Sequence, residues 1–140
     1  MAEAAHEKRA KIRLAKGVPA ADADWFPGTL RKFVQLLDLP PDWDGYGARP
    51  VDPAVVKGAL RLLLELVPTA ASVPNVVPSP SGGVQVEWHE RGADIELEFK
   101  VDATASFFME TDNGEVEESA PIGRIGEVAG RSLGRVFAGR

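Results

Sequence analysis

The residue types best suited to chemistry are carboxylates near a histidine, inside residues 82–112 of this 140-residue chain. Glu87 and His89 hold polar positions of one alternating run, and Glu96 holds one in the next. Such a set could bind a divalent cation or transfer a proton. An open sheet face lacks the water-excluding pocket that catalysis needs. An enzyme or metal-binding protein using Asp44, Glu87 and His89 is therefore the weakest of three functional hypotheses.

The elements that carry these carboxylates are predicted strands. Apolar residues occupy every second position of successive runs, namely Val84, Val86 and Trp88, then Ile95, Leu97, Phe99 and Val101, then Ala105, Phe107 and Met109. A period of two indicates half-buried antiparallel strands. Residues 73–78 hold two prolines and suit a short edge strand. The predicted fold class is α+β, an antiparallel three- to four-stranded meander with two or three helices packed on one face.

The predicted turns indicate which polar residues lie opposite one another on the solvent-facing side of the sheet. A two-residue turn at 91–92 places Glu87 opposite Glu96 and His89 opposite Asp94. A three-residue loop at 102–104 keeps the inward residues apolar. That loop extends the row from Glu96 to Glu110 and sets Glu98 opposite Phe108. The predicted binding residues of the face are Glu87, Glu96, Glu98, Phe108 and Glu110.

Like charges opposite one another destabilise a sheet, so this row requires compensation. Solvent and salt can screen it, or the basic segment 1–16 can lie across it. The alternatives are an acidic docking face for a basic protein, with Phe108 as apolar anchor, or a surface that imitates nucleic-acid phosphates.

Helices are predicted on both sides of a proline-rich connection. Thr29 is expected to cap a helix that ends at Leu37 or Asp38. Its apolar stripe consists of Leu30, Phe33, Val34 and Leu37. Asp52 and Pro53 start a second helix that ends near Val67.

The C-terminal part is predicted to begin with solvated acids at 115–119. A helix over 121–137 follows, and it carries Gly126, Gly130 and Gly134 at four-residue spacing. Because glycine weakens a free helix, this helix is expected to form when docked, on its own domain or on a partner. The glycine spacing predicts close backbone approach, including self-association through this helix.

Charge is distributed unevenly around a net value of -5. Residues 1–16 carry five bases and two acids, residues 85–118 carry eleven acids and two bases, and residues 121–140 carry four arginines and one acid. The predicted organisation is a basic N-terminal segment and connector (1–28), a helix-helix-meander core (29–112), and an acidic turn with a basic glycine-rich helix (113–140). Direct nucleic-acid binding is disfavoured because the body would repel phosphates.

Composition excludes several classes of protein. The chain has no cysteine, which excludes disulfides and thiolate sites. The N-terminus lacks a signal-peptide core, and the most apolar run, 59–67, contains Arg61 and Glu65. These features predict a cytoplasmic protein without membrane contact. With no cofactor motif, no cofactor is expected.

The loop at 39–50, LPPDWDGYGARP, is the other candidate binding region. One interpretation is a rigid lid in which Trp43 packs over the sheet end and Asp44 accepts hydrogen bonds from local amides. The other is a recognition loop in which Trp43 and Tyr46 are anchors and Asp44 or Arg49 makes polar contacts.

This loop and the following hairpin, GGVQVEWH, resemble a group of small bacterial proteins that share a WDGYGA-x-P loop and a GGVQ(V/L)EWH hairpin. The similarity covers residues 39–99. The resemblance implies a bacterial origin and a helix-plus-hairpin core, and it implies no catalytic residue.

The leading hypothesis is a non-enzymatic protein–protein interaction module. It would be a small acidic partner, such as a toxin-neutralising or defence-related protein of a bacterial or mobile-element operon. Its partner would present a basic surface. The second hypothesis is an acidic nucleic-acid-mimicking inhibitor.

Overall fold

A computed structural model describes residues 23–138, and they form a five-stranded antiparallel sheet with three helices. In chain order the elements are α1 (Trp25–Leu37), α2 (Pro53–Leu66), β1 (Asn75–Pro78), β2 (Val84–Glu90), β3 (Ala93–Phe99), β4 (Thr104–Thr111), β5 (Gly114–Pro121), a 3-10 turn (Ile122–Arg124) and α3 (Glu127–Phe137). The strands lie in sequence order, each antiparallel to the next. The α+β meander is confirmed, but three to four strands was too few. The predicted segment 1–16 lies outside the described residues.

One face of the sheet packs against the helices because the alternating apolar residues all point to it. The predicted inward residues of β2, β3 and β4 are buried, and they join helix residues such as Phe33, Leu63 and Leu133 in one core. Val101 is the exception among the predicted inward residues. It lies in the β3–β4 connection and is 46% exposed.

Helix α1 begins four residues before the predicted cap. Trp25 is fully buried, and its indole Nε1 donates to the carbonyl oxygen of Pro68 at 3.1 Å. Thr29 lies inside the helix, where its hydroxyl donates to the carbonyl of Trp25 at 2.7 Å. Because Thr29 has this partner within the helix, it does not cap the N-terminus, and that prediction was wrong.

The start of α1 at Trp25 also changes which side of the helix is buried. Its buried residues are Trp25, Thr29, Phe33 and Leu36. Of the predicted stripe only Phe33 is buried, whereas Leu30, Val34 and Leu37 are 38%, 54% and 39% exposed. The predicted helix did not include Trp25, so the predicted apolar stripe lay on the wrong side of the helix.

Helix α2 begins as predicted. The carboxylate of Asp52 accepts a hydrogen bond from the amide of Ala54 at 2.9 Å, and Pro53 occupies the first turn. The helix ends at Leu66, and its buried residues are Val55, Val56, Ala59, Leu62 and Leu63. It is the helix that covers the centre of the sheet.

The C-terminal part differs most from the prediction. Residues 115–119 form part of a strand, β5, that was not predicted, although Glu115, Glu117 and Ser119 are exposed as expected. A 3-10 turn and Gly126, which has a φ of 140°, separate β5 from α3, so the helix begins at Glu127 rather than near residue 121. Helix α3 then crosses back under the sheet, where Phe137 packs edge-to-face on Trp88 at 5.9 Å between ring centroids.

The three glycines of the α3 region do not bring two backbones together. A Cβ added at Gly126 or Gly130 would lie 3.1 or 3.6 Å from the Cδ2 atom of Leu66, a side-chain contact with α2. At Gly134 a Cβ would meet no atom within 4 Å. The predicted close backbone approach is therefore absent within residues 23–138. In this described part, no helix combines the length and the apolar character needed to cross a bilayer.

Candidate functional site

The face of the sheet turned away from the helices collects the polar positions of β2 to β5. We call it the outer face, and it consists of Gln85, Glu87, His89, Asp94, Glu96, Glu98, Ser106, Phe108, Glu110, Glu115, Glu117 and Ser119. Seven of these residues are carboxylates, and none is lysine or arginine. The nearest lysine in sequence, Lys100, directly follows β3. Apart from His89, the charged side chains of the outer face are therefore all carboxylates.

The β2–β3 register agrees with the prediction. Glu87 lies opposite Glu96, and His89 lies opposite Asp94. Arg91 and Gly92 form the two-residue turn, and both have positive φ values, 56° and 75°. This backbone conformation matches the twist of a tight hairpin.

The predicted β3–β4 register was wrong by two residues. Glu96 lies opposite Phe108, and Glu110 lies opposite Asp94. The row across the sheet is therefore Glu87, Glu96, Phe108 and Glu117, without Glu110.

Local turn chemistry explains the shift. The three-residue loop lies one residue earlier than predicted, at 101–103, because the amide of Lys100 donates to the carbonyl of Thr104 at 3.0 Å and that of Ala103 donates to the carbonyl of Lys100 at 3.1 Å. The carboxylate of Asp102 accepts from the amide and hydroxyl of Thr104 at 3.0 and 2.6 Å. These bonds lower the pKa of Asp102. A shift of two residues keeps every side chain on its own face, so hydropathy does not distinguish the two registers.

Phe108 lies in the middle of the carboxylates. It is half-buried between Glu96 on β3 and Glu117 on β5. Glu98 lies opposite Ser106, not opposite Phe108 as predicted. A shallow open depression of about 330 Å³ covers this region, and its lining residues are Glu96, Glu98, Ser106, Phe107, Phe108, Glu117 and Ser119. The outer face thus offers an aromatic surface within a ring of negative charge.

The carboxylate of Glu96 is partly buried and lies near two other glutamates of the outer face. Partial burial raises its pKa, and the charges of Glu87 and Glu98 raise it further. The side-chain amide of Gln85 donates to its Oε2 at 3.0 Å. Its ionised form is therefore less favourable in the fold than in the unfolded chain.

This carboxylate leads to a pH-dependent prediction. The pKa of Glu96 is higher in the folded protein than in the unfolded chain. Its stabilising contribution to folding is therefore fully present below its ordinary pKa of 4.5 and is lost as pH rises through its folded-state pKa. Glu96→Gln should raise the free energy of unfolding at neutral pH by less than about 1 kcal/mol, since the site is partly exposed. Urea unfolding below the ordinary pKa and at neutral pH measures the difference.

The matched control is Glu65→Gln on α2, which removes an exposed charge away from the sheet. The stability gain of Glu96→Gln over wild type should grow from the lower to the higher pH. A gain equal at both pH values would contradict the assignment of the pKa shift to Glu96.

His89 is held between two carboxylates at one end of the outer face. Its Nδ1 lies 2.8 Å from Oδ1 of Asp94, and its Nε2 lies 3.5 Å from Oε1 of Glu87. The hydrogen bonds to Asp94 and then Glu87 raise the pKa of His89. The predicted pair of His89 and Asp94 is confirmed. Protonated His89 adds a positive charge to the face, on a side chain that is 56% exposed.

The loop at 39–50 is organised by its own carboxylates. Oδ1 of Asp44 accepts from the amides of Tyr46 and Ala48 at 2.8 and 3.0 Å, and Oδ1 of Asp42 accepts from the amide of Gly47 at 2.6 Å. The indole Nε1 of Trp43 donates to the carbonyl of Arg49 at 2.9 Å. These bonds hold the loop in one conformation.

Of the binding residues predicted in this loop, two are half-buried and two are exposed to solvent. Trp43 and Asp44 are half-buried and serve the internal hydrogen bonds. Arg49 is exposed, and Tyr46 is 92% exposed. Recognition by Tyr46 and Arg49 remains a prediction.

The structure does not bring Asp44 together with Glu87 and His89. Two backbone hydrogen bonds join the loop to the segment just before β2. The amide of Arg49 donates to the carbonyl of Pro80 at 2.8 Å, and the amide of Asp52 donates to the carbonyl of Gly82 at 2.9 Å. His89 lies near the other end of β2, roughly 23 Å from Gly82 at the rise of a strand. Among residues 23–138, no group of three or more histidine, aspartate or glutamate side chains is arranged to hold a metal ion.

The part of the outer face on β5 was not predicted from the sequence. Glu115, Glu117 and Ser119 belong to the face only because β5 pairs with β4. Two features of the sequence indicate this strand. A turn lies at 112–114, and the outward residues after it alternate with Val116, Glu118 and Ala120. The inward glutamate in this run obscured it, because strands with one buried face rarely place a carboxylate there.

Comparison of the chain with family models, curated proteins and solved structures found no match. The resemblance of residues 39–99 to small bacterial proteins thus remains an expectation from the sequence.

Proposed function

We propose that this chain is a non-enzymatic protein-interaction module whose outer face binds a partner with a basic surface. The observation that carries the proposal is the set of seven carboxylates around half-buried Phe108, with no lysine or arginine at the strand positions of the face. A toxin-neutralising protein of a bacterial operon is one instance of this class.

Electrostatics supports binding at this face. Glu87 and Glu96 lie directly opposite each other, an arrangement that weakens a sheet. An arginine from a partner would pair with these carboxylates and remove that repulsion. Relief of the repulsion between Glu87 and Glu96 on binding would therefore add to the affinity for the partner.

Phe108 gives the face a second source of affinity. Aromatic side chains near the centre of an interface commonly account for much of the binding free energy, while surrounding polar groups exclude water. Phe108 lies in the open depression between Glu96 and Glu117. A partner that places a guanidinium or an apolar side chain on this ring would use both the charge and the aromatic surface.

The experiment compares two variants of equal charge. The first replaces Glu87, Glu96 and Glu117 with glutamine, and the second makes Asp24→Asn, Asp38→Asn and Glu65→Gln on the helical side. Calorimetry with an arginine-rich protamine peptide is the assay. The outer-face variant should lose at least about ten-fold in affinity and the helical-side variant less than about two-fold.

Equal losses in the two variants would contradict a specific site, because net charge alone would then explain the binding. Competition distinguishes the mimicry hypothesis. A DNA-binding protein that is captured by the wild type and released by added duplex DNA would indicate imitation of phosphates.

A further inference from the structure

The two edges of the sheet differ in how they are protected. Edge strand β1 has only four residues and ends at Pro78, with Pro74 just before it. Edge strand β5 has eight residues, with no proline before Pro121 and no lysine or arginine. Among residues 23–138, no strand pairs with β5 on the side away from β4. Native sheets usually block such an edge with proline, charged side chains, a bulge or a covering element. The only charged side chains of β5 are glutamates, which oppose an acidic strand but attract a basic one.

The free backbone groups of β5 follow from its hairpin with β4. Thr111 and Gly114 close the two-residue turn, so Gly114 and every second residue after it exchange hydrogen bonds with β4. The residues between them, Glu115, Glu117 and Ser119, direct their N–H and C=O groups to the free edge. Pro121 is the next such position and has no N–H.

The same three residues place their side chains on the outer face. A strand added at this edge would therefore have alternate side chains beside Glu115, Glu117 and Ser119. Its other side chains would lie on the inner side, near half-buried Val116 and Ala120 and beside Glu118, whose Oε1 already accepts from the amide of Ala129. The edge thus favours a segment in which basic and apolar residues alternate.

A second copy of the chain does not fit this description. Pairing two β5 strands would place glutamates of one copy beside glutamates of the other, which costs free energy. Charge complementarity therefore favours a basic strand over self-association at this edge.

Resting on the proposed function, we infer that β5 binds an extended segment of the partner by strand addition, and that this segment carries lysine or arginine at the positions facing Glu115 and Glu117. The interaction extends the outer face by one strand. Backbone hydrogen bonds contribute affinity, and the carboxylates select the basic pattern.

The test uses the full chain and a peptide of alternating lysine and valine. The control peptide has the same sequence with N-methyl groups on the amides that would bond to β5, which keeps its charge but prevents pairing. Calorimetry should show the unmodified peptide binding at least about ten-fold more tightly. Amide hydrogen exchange of Glu115, Glu117 and Ser119 should slow, while that of Val116 and Glu118, already paired with β4, should change little.

A variant gives the complementary measurement. Glu117→Pro removes an N–H that points to the free edge without removing a bond to β4, and it should reduce peptide affinity by at least about ten-fold. Glu117→Gln, which keeps the N–H, should reduce affinity less. The N-methylated peptide makes the test independent of whether the proline variant folds.

Equal affinity of the two peptides, or unchanged exchange at all three edge amides, would overturn strand addition. Absence of any binding by the lysine peptides would overturn it as well. The protamine measurement on the outer-face variant decides the proposed function separately, because that assay needs no pairing at β5.

Discussion

Replacing Gly83 with alanine should reduce the free energy of unfolding by about 3 kcal/mol, the upper range for overpacking a well-packed region. An added Cβ would overlap the main-chain carbonyl oxygen of Phe99, and the backbone of Lys100 lies close behind it. Backbone atoms inside a ladder cannot move away as a flexible side chain can. The change should therefore separate the start of β2 from the end of β3, which urea unfolding would register.

The control is Gly123→Ala, at a glycine with ordinary φ and no atom within 4 Å of the added Cβ. It should alter stability by less than about 0.5 kcal/mol. If Gly83→Ala unfolded like wild type, the close approach of β2 and β3 at this point would be wrong, and so would the register that begins there.

Replacing Trp88 with alanine should cost about 3–5 kcal/mol, the range for removing a large buried aromatic side chain. Trp88 is 2% exposed and contacts Phe137 of α3. Its indole Nε1 also donates to the carbonyl of Ser72 at 2.9 Å, which ties the segment before β1 to the sheet. Loss of this side chain should loosen α3 and β1 together, measured by chemical unfolding and near-ultraviolet circular dichroism.

Trp88→Phe separates the two contributions. It keeps an aromatic ring near Phe137 but leaves the Ser72 carbonyl without its donor, so it should cost about 1–3 kcal/mol. A loss as large as that of the alanine variant would show that the hydrogen bond to Ser72 and the outer part of the indole ring, and not the contact with Phe137, dominate.

Helix α3 is held at both ends by residues of the hairpins. At its start, Oε1 of Glu118 accepts from the amide of Ala129 at 3.2 Å, so the inward carboxylate of β5 satisfies a free N–H of the helix. At its end, the guanidinium of Arg91 donates to the carbonyls of Val136 and Ala138, both at 3.4 Å. Helix α3 therefore uses its apolar side on the core of its own domain.

Much of the fold could be predicted from local patterns. Alternation identified β2, β3 and β4 with their inward residues, Arg91 and Gly92 identified the first turn, and Asp52 identified the start of α2. The pairing of Glu87 with Glu96 followed from the same turn. Each of these features depends on residues close in sequence, whose preferences determine the local backbone.

The candidate site depended on more distant contacts. Glu110 left the predicted row because the turn closes at Lys100 and Thr104, one residue earlier than predicted, where Asp102 accepts hydrogen bonds from Thr104, and both registers satisfied the same hydropathy pattern. Glu117 entered the row because β5 paired with β4 despite the inward Glu118, whose carboxylate finds its partner on α3.

By itself, the sequence determined that this protein has a meander with one apolar and one acidic face, because alternation and charge are properties of individual positions. Only the tertiary structure decided which acids adjoin Phe108 and that, among residues 23–138, no strand pairs with the outer edge of acidic β5. Those features depend on pairing between strands, and a two-residue shift in pairing leaves every position on its face while giving it different neighbours.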